Sequence, residues 1–326
     1  MLRFEAPRRV QIHGVEVGPP TDGEVLVRTR WSGISGGTEL LAYRGELDES
    51  VVRDETLSSL DGTFRYPFAY GYSCVGEVER SAIDGLDEGT TVFVFHPHQD
   101  VFTVRAGDVV PIESLDGRIA TLFPLVETAL QVSLDAGPRI EEPVVVLGLG
   151  AVGVLTASLL QRSGADVLGT DPRGDRREVA ARFGIRVLDT GAIRDEVWAG
   201  TSGAGVPLVV DVTGSPTALP LALELLAHEG EALVCSWYGS KDVRLPLGGT
   251  FHRRRLAIRG TQVSTIPSRL AGRWDVARRR RTAMRLMTEL PVKLLATNDV
   301  PFERAAEAYA ALDRGDEHVM HVALRY

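Results

Sequence analysis

Three glycines and one aspartate form the clearest chemical pattern in this 326-residue sequence. Gly148, Gly150 and Gly153 have the spacing G-x-G-x-x-G, and Asp171 ends the next apolar run. In a dinucleotide-binding turn the first glycine permits a tight bend, the second lets the backbone approach a pyrophosphate, and the third lets a helix pack closely on a strand. An acidic residue beyond the turn accepts hydrogen bonds from the adenosine ribose. The pattern therefore predicts that the chain binds a dinucleotide.

The elements around this motif are the ones that such a site requires. Val144 to Leu147 is a short β-branched run typical of a buried strand, an amphipathic helix is predicted to about Arg162, and a second strand ends at Asp171. Together they make a βαβ unit. The residues predicted to bind the cofactor at its turn are Gly148, Gly150, Ala151, Val152 and Gly153.

Asp171 also bears on the choice of cofactor. Its carboxylate would accept hydrogen bonds from ribose hydroxyls and repel a 2′-phosphate at short range, which favours NAD(H). Arg173, Arg176 and Arg177 follow closely and could reach a phosphate, so NADP(H) remains the less favoured alternative. Arg173 is kept as a candidate cofactor contact.

The rest of the chain predicts two kinds of sheet. After the motif, apolar runs alternate with helical segments such as PTALPLALELLAHEG, and six such runs fit a doubly wound parallel sheet. Before it, short alternating segments such as GEVLVRTRWSG and GYSCVGEVER predict a mostly antiparallel β domain. The predicted fold class is α/β, a Rossmann domain plus an antiparallel β domain.

Composition and charge narrow the partners. The net charge of −8 argues against nucleic acid, and no apolar run approaches the roughly 20 residues of a membrane span. The beginning of the sequence lacks a secretion signal, so a cytoplasmic protein with a small-molecule substrate is expected. Two cysteines are too few for a four-cysteine structural zinc. The run RRRR, Arg278 to Arg281, is interpreted as a solvated face.

Several segments resemble one enzyme family. The order of a β domain, VVVLGLGAVG, DVTG and VPFERAAEAYAALDRG resembles the medium-chain dehydrogenase/reductase family, the group of the zinc alcohol dehydrogenases and quinone reductases. GISGGTELLAYRG resembles its G-I-C-G-T-D-x-H-x-Y-R-G turn, and YGYSCVGEV its G-H-E-x-x-G-x-V strand. The resemblance implies a GroES-like catalytic domain at 1–126 and 262–326, a Rossmann NAD-binding domain at 127–261, and a homodimer.

The same resemblance predicts that no zinc is bound. Where relatives place cysteine, histidine and glutamate ligands, this sequence has Ser35, Tyr72 and Ser73, and the further ligand position falls at or near Pro124. Tetrahedral zinc prefers thiolate, imidazole or carboxylate ligands. A rival interpretation is an ion held by His96, His98 and Asp100, which would share one face of a regular strand although Pro97 interrupts it.

Without a metal, a side chain must meet the charge that develops on the substrate oxygen. The catalytic candidates are Tyr72, His96, Thr38 and Glu39. A phenol is a good donor at neutral pH, whereas His96 with an ordinary pKa near 6.5 would be the better base. Thr38 matches the relay hydroxyl of the family, and Glu39 an acidic position that is largely structural in relatives. Glu127 is either a charged group near the substrate or a carboxylate that stabilises a helix start.

The nicotinamide end of the cofactor has its own candidates. Thr213 and Gly214 follow the fourth strand of the predicted parallel sheet and would face the ribose or nicotinamide. CSWYGS and GTQVST resemble family segments that contact the carboxamide, which implies Trp237, Tyr238 and Gln262.

Among zinc-lacking members, the sequence resembles the group that includes the bacteriochlorophyllide dehydrogenases, through segments such as GISGGTELLAYRGE and FHPHQD. The leading hypothesis is a zinc-independent NAD(H)-dependent oxidoreductase that interconverts a secondary alcohol and a ketone on a small or medium-sized metabolite. The alternatives are an enoyl reductase acting on a conjugated C=C bond and a non-catalytic NAD-binding protein.

Overall fold

The computed structural model describes residues 1–112 and 115–326. Two compact units divide the chain: residues 1–124 with 287–326, and residues 125–286. The first unit is therefore assembled from two separate stretches of sequence. The expected nucleotide-binding segment, 127–261, lies inside the second unit, and assigning functions to these limits stays a prediction.

Within the described ranges, the strands and helices have the following bounds. The strands are β1 (Leu2–Ala6), β2 (Arg9–Ile12), β3 (Glu24–Ile34), β4 (Phe68–Ala69), β5 (Cys74–Ser81), β6 (Thr91–Val94), β7 (Val101–Arg105), β8 (Val109–Pro111), β9 (Pro143–Leu147), β10 (Asp166–Thr170), β11 (Arg186–Leu188), β12 (Val206–Asp211), β13 (Leu226–Val234), β14 (Ala257–Gly260), β15 (Asn298–Pro301) and β16 (Val322–Arg325). The α-helices are α1 (Thr38–Arg44), α2 (Gly117–Ala120), α3 (Phe123–Ala136), α4 (Ala151–Arg162), α5 (Gly174–Arg182), α6 (Ile193–Gly200), α7 (Ala218–Leu225), α8 (Val276–Glu289) and α9 (Ala305–Arg314). Short helical turns lie at Ser58–Leu60, Ala106–Asp108, Leu247–Phe251, Val292–Leu294 and Phe302–Arg304.

The second unit contains a parallel sheet in the order β11-β10-β9-β12-β13-β14. Its central strand β9 carries Val144, Val145 and Val146, all fully buried, as expected for a strand covered on both faces. The strand order reverses at this centre: β10 and β11 lie on one side of β9, and β12 to β14 lie on the other. A doubly wound sheet binds its ligand at this switch point between β9 and β12. The predicted fold class is confirmed.

One predicted helix is shorter than the sequence indicates. The segment PTALPLALELLAHEG was expected to be helical to Gly230, but α7 ends at Leu225 and β13 begins at Leu226. Leu226 pairs with Val206 of β12, so sheet pairing takes over from local helix propensity.

The first unit is built on a largely antiparallel sheet. Its order is β15-β16-β3-β5-β6-β8, with β7 also paired to β3, and a separate sheet has the order β2-β1-β4. β16, from the second stretch of the unit, pairs with residues 31–34 of β3. An aromatic core that includes Phe4, Tyr43 and Tyr309 packs beside this junction.

Within residues 1–112 and 115–326, no helix combines the length and the apolarity that a membrane crossing needs.

Candidate functional site

The three glycines of the β9–α4 turn meet different surroundings. Gly148 has φ +92°, and a Cβ there would lie 2.9 Å from the carbonyl oxygen of Val212. A Cβ on Gly153 would lie 1.9 Å from the oxygen of Gly148. A Cβ on Gly150 would meet no atom of the described chain within 4 Å. Gly148 and Gly153 are thus required by packing, whereas Gly150 leaves open space before the first turn of α4, as a pyrophosphate site needs.

Asp171 joins the ends of β9 and β10. Its side chain is 2% exposed. Oδ2 accepts a hydrogen bond from the backbone N–H of Leu149 at 2.9 Å, and Oδ1 accepts one from the N–H of Arg173 at 2.9 Å. The carboxylate is therefore fixed beside the glycine turn, where the sequence predicted a ribose-binding group.

The neighbouring arginines are all paired with acidic or carbonyl oxygens. Arg173 holds Asp175 through two bonds of 3.0 and 2.6 Å. Arg176 lies 3.4 Å from Asp171. Arg177 donates to the backbone oxygen of Asp171 at 2.5 Å and lies 3.1 Å from Asp189. Their charges are largely balanced within the protein.

Asp211, which the sequence analysis did not single out, organises the ends of β12 and β13. Its Oδ1 accepts hydrogen bonds from the N–H of Thr213 at 2.9 Å, the hydroxyl of Thr213 at 2.8 Å and the hydroxyl of Ser236 at 2.9 Å. The Tyr238 hydroxyl donates to Oδ2. Burial, and then this hydrogen bond, raises the pKa of Tyr238, so the phenol stays protonated. The sequence does contain a signal for Asp211, because this carboxylate ends the apolar run VPLVVD.

The residues predicted to contact the nicotinamide do not all belong to this network. Ser236 also accepts a hydrogen bond from the N–H of Gly214 at 2.8 Å, which ties the two loops together. Trp237 is 41% exposed beside them. Gln262 is exposed and bonds within its own turn, donating to the Ser264 hydroxyl at 2.8 Å. Thr213, Gly214 and Tyr238 therefore share one polar network, whereas Gln262 bonds to Ser264 in its own turn.

In the first unit, Glu39 is fully buried in α1. Its Oε1 accepts the backbone N–H of Ser35 at 2.8 Å. Its Oε2 accepts from Nε2 of His98 at 2.9 Å and from the hydroxyl of Tyr309. This carboxylate accepts from three donors and is shielded from solvent, so it fixes the turn that precedes α1. Thr38 is the first residue of α1.

His98 extends this network in the other direction. Its Nδ1 lies 2.7 Å from the Ser32 hydroxyl, which lies 3.0 Å from the Tyr326 hydroxyl. The side chain is fully buried, and Asp100 is exposed. The ion site considered at His96, His98 and Asp100 is not formed, because no such group of three acidic, histidine or cysteine ligands exists within residues 1–112 and 115–326.

The positions that hold zinc ligands in relatives do not fit a zinc ion. Ser73 donates its hydroxyl to the carbonyl of Thr121 at 2.8 Å, and the backbone of Ser35 is held by Glu39. Tyr72 is half-buried, with its ring centroid 6.1 Å from that of Tyr70. Hydroxyl oxygens in this arrangement do not supply the thiolate, imidazole or carboxylate ligands that zinc prefers.

His96 departs from its expected acid–base behaviour. Its ring stacks on Phe102 with centroids 3.6 Å apart, and Nδ1 lies 2.9 Å from the carbonyl of Pro97. Burial lowers the pKa of His96 to about 4. The ordinary pKa near 6.5 assumed from the sequence is therefore wrong for this residue, and its ring is neutral at pH 7.

Glu127 and the arginine run are in contact with each other. Glu127 is buried in α3 and pairs with Arg279 at 3.0 Å and Arg280 at 3.6 Å. Arg279 is 2% exposed and also donates to Gln131 at 2.7 Å. The interpretation of Arg278 to Arg281 as a wholly solvated face is wrong, because this arginine is taken up by an internal ion pair.

Comparison with known proteins identifies the family. Residues 151–278 match the family described as zinc-binding dehydrogenase. The chain is 33% identical over 240 residues to 2-dehydro-3-deoxy-L-galactonate 5-dehydrogenase of Pseudoalteromonas atlantica, covering 66% of this chain and 69% of the relative. It is 26% identical to 2-desacetyl-2-hydroxyethyl bacteriochlorophyllide A dehydrogenase of Cereibacter sphaeroides, covering 94% of this chain and 92% of the relative.

The fold has solved counterparts as well. An alcohol dehydrogenase of Escherichia coli CFT073, solved with NADH, superposes with a TM-score of 0.79 at 18% identity, covering 100% of this chain and 98% of that one. The resemblance seen in the sequence is confirmed. The chain belongs to the zinc-binding dehydrogenase family, the alcohol dehydrogenase-like group of medium-chain oxidoreductases.

Proposed function

We propose that this chain is an NAD(H)-dependent oxidoreductase that interconverts a secondary alcohol and a ketone without zinc. The observation that carries the proposal is the β9–α4 turn, where Gly150 faces open space between two glycines that packing requires. The fixed carboxylate of Asp171 stands beside it. The named activities of the matched relatives are dehydrogenations, which supports the alcohol and ketone pair over a conjugated double bond.

NAD(H) is favoured over NADP(H) by the charges around Asp171. A 2′-phosphate would meet this carboxylate, while Arg173 and Arg177 are already paired with Asp175 and Asp189, and Arg176 is paired with Asp171 itself. We expect NADH to bind at least about tenfold more tightly than NADPH, a difference of about 1.4 kcal/mol. Equal affinities in a fluorescence titration would mean that the arginines change partners and bind the phosphate.

A bound nicotinamide would accept a hydride from the alcohol or donate one to the ketone. The protein must then stabilise and protonate the substrate oxygen, and we assign that task to the hydroxyl of Tyr72. In the direction of ketone reduction this phenol donates a hydrogen bond to the carbonyl oxygen as negative charge develops there. His96 is neutral at pH 7, and its lowered pKa makes it a poor proton acceptor there, so the proton transfer is not assigned to it. Glu39 is assigned to positioning, because its oxygens are held by Ser35, His98 and Tyr309.

The test uses NADH consumption with a panel of ketones and conjugated enones. Tyr72→Phe should lower turnover by roughly 10²-fold while NADH affinity stays within a few-fold. Tyr70→Phe is the matched control, because this buried neighbour packs against Tyr72 in the same segment and should retain wild-type turnover. Wild-type turnover in Tyr72→Phe would overturn the assignment, and turnover of enones alone would favour an enoyl reductase.

The zinc-free part of the proposal has a separate measurement. Elemental analysis of the purified protein should find well below one zinc per chain after dialysis against a chelator, with activity retained. One zinc per chain that survives dialysis would contradict it. NADH binding with no turnover of any substrate would instead favour a non-catalytic NAD-binding protein.

A further inference from the structure

Asp135, in the last turn of α3, is a buried carboxylate that the proposed function has not used. It is 7% exposed. Its Oδ2 accepts hydrogen bonds from the Thr261 hydroxyl at 2.6 Å and from Nε2 of Gln131 at 3.1 Å. Its Oδ1 accepts one from Nη2 of Arg269 at 2.9 Å. One carboxylate therefore joins α3, the residue that follows β14 and the segment 262–275.

Two arginines balance the charge of this carboxylate. Arg259 of β14 donates from Nη2 to the carbonyl oxygen of Asp135 at 2.8 Å, and it also pairs with Glu231 of β13. Arg269 donates to the same carbonyl oxygen at 2.8 Å. Cations at the last carbonyls of a helix interact favourably with its dipole. Two arginines and two carboxylates thus form a balanced cluster, and a satisfied network of this kind holds its members rigidly.

The strand order places this cluster on one side of the proposed coenzyme site. The glycine turn follows β9, and Asp171 at the end of β10 is assigned to the adenosine ribose, so the adenosine half extends toward β10. The nicotinamide half must extend the other way, over the carboxyl ends of β12, β13 and β14. Thr261 directly follows β14, and its N–H donates to the carbonyl of Val234, the last residue of β13, at 2.9 Å.

Two buried carboxylates therefore fix neighbouring strand ends on the nicotinamide side. Asp211 holds Tyr238 in the loop after β13, and Asp135 holds Thr261 after β14. Cys235 lies close to both, because burial and then the charges of Asp211 and Asp135 raise the pKa of its thiol to about 12. The loop after β14 thus has an anchor of its own, separate from the network of Asp211.

The anchor determines what the loop after β14 presents. Thr261 uses its N–H in the sheet and its hydroxyl on Asp135, and the Gln262 side chain bonds to Ser264 in its own turn. The surface that this loop offers to a ligand is therefore its backbone at residues 261–262.

We propose that Asp135 is a positioning residue for the nicotinamide of the coenzyme: through the Thr261 hydroxyl it fixes the backbone at residues 261–262, against which the nicotinamide lies. The inference rests on the proposed function, since it requires the coenzyme to bind at the β9–α4 turn. Because Asp135 is buried, it acts through Thr261 rather than by touching the coenzyme. A loop that is fixed before binding loses less conformational entropy when the coenzyme arrives, which increases affinity.

The experiment compares NADH with ADP-ribose, which keeps the adenosine, the pyrophosphate and the second ribose but lacks the nicotinamide. Thr261→Val keeps the shape of the side chain and removes the donor. NADH affinity in a fluorescence titration should fall at least about fivefold, whereas ADP-ribose affinity in a calorimetric titration should stay within about twofold. Thr261→Ser keeps the donor and should bind NADH within about twofold of the wild type. Wild-type NADH affinity in Thr261→Val, or an equal fall for both ligands, would overturn the inference.

Further variants separate positioning from other causes. Asp135→Asn should reproduce the selective loss of NADH affinity, and Thr261→Val keeps the test decisive if that variant fails to fold. Thr201→Val is the matched control, because it removes a threonine hydroxyl that donates to the carbonyl of Val197 at 2.7 Å before β12, at the opposite edge of the sheet, and should leave both affinities within about twofold. Asp171→Ser should weaken NADH and ADP-ribose together, because both carry the adenosine ribose.

Failure of the inference is distinguishable from failure of the proposed function. A wild-type protein that binds neither NADH nor ADP-ribose would refute the coenzyme site, and the role of Asp135 with it. A wild-type protein that binds both ligands, with Thr261→Val and Asp135→Asn indistinguishable from it, would refute the role of Asp135 alone.

Discussion

Gly150 and Gly153 allow a sharp test of the β9–α4 turn. Replacement of glycine by alanine should lower NADH affinity at Gly150 and stability at Gly153. In Gly153→Ala the new Cβ would lie 1.9 Å from the oxygen of Gly148, whereas real Cβ contacts do not fall below 3.0 Å. The backbone must therefore separate by more than 1 Å. Overpacking of this kind costs roughly 1 to 3 kcal/mol or more, of which alanine in a helix recovers at most about 1 kcal/mol. Because the 1.9 Å approach is severe, the upper end of this range applies, and a net loss of about 2 kcal/mol in the free energy of unfolding is expected.

Gly150→Ala is the matched partner of this variant. Its φ of −67° and ψ of −179° suit alanine, and the open space accepts the methyl group, so stability should change by less than about 1 kcal/mol. The same methyl group occupies the approach to the helix N-terminus, so NADH affinity should fall at least about tenfold.

Both variants are measured by urea unfolding at 25 °C without coenzyme and by fluorescence titration with NADH. Wild-type NADH affinity in Gly150→Ala would refute the placement of the pyrophosphate. Wild-type stability in Gly153→Ala would refute the packing argument for the third glycine.

Two further predictions concern the first unit. Burial lowers the pKa of His321 to about 4, so its contribution to stability is complete above the unfolded value near 6.5 and is lost as the pH falls from about 6.5 to 4, by up to about 3 kcal/mol. In urea unfolding, the free energy of unfolding should therefore decline less between pH 7 and pH 4 in His321→Gln than in the wild type. His252→Gln, an exposed control, should decline as the wild type does. A wild-type decline in His321→Gln would contradict the assignment of this pH dependence to His321. Glu39→Gln removes the charge from the buried network and should lower the free energy of unfolding in urea by about 2 to 4 kcal/mol. Glu77→Gln breaks only the exposed pair with Arg30 and should lower it by less than about 1 kcal/mol. Equal losses of stability in the two variants would show that the buried network contributes little.

The fold of the second unit was largely predictable because its sequence signals are local. The strand, the glycine turn and the helix to Arg162 are adjacent in sequence, and Asp171 follows them directly, so periodicity and spacing were sufficient. The helix that ended early at Leu225 shows the limit of such signals, because its end is set by pairing with a strand elsewhere in the sheet.

The candidate catalytic residues were less predictable because their surroundings come from distant sequence. Glu39 is separated by 59 residues from His98 and by 270 from Tyr309, and no local pattern announces either partner. The pKa of His96 depends likewise on stacking against Phe102 and on burial. Chemical type could be read from each residue, whereas protonation and availability depend on tertiary packing.

The division of the first unit between residues 1–124 and 287–326 has a consequence for synthesis on the ribosome. Translation proceeds from the N-terminus, so the whole second unit emerges before Tyr309 and Tyr326 exist. Until then the carboxylate of Glu39 and the hydroxyl of Ser32 lack their tyrosine partners, and the edge of β3 at residues 31–34 lacks β16. An unpaired strand edge invites association with other chains. The nascent protein is therefore most vulnerable to aggregation in the interval between completion of the second unit and arrival of β16.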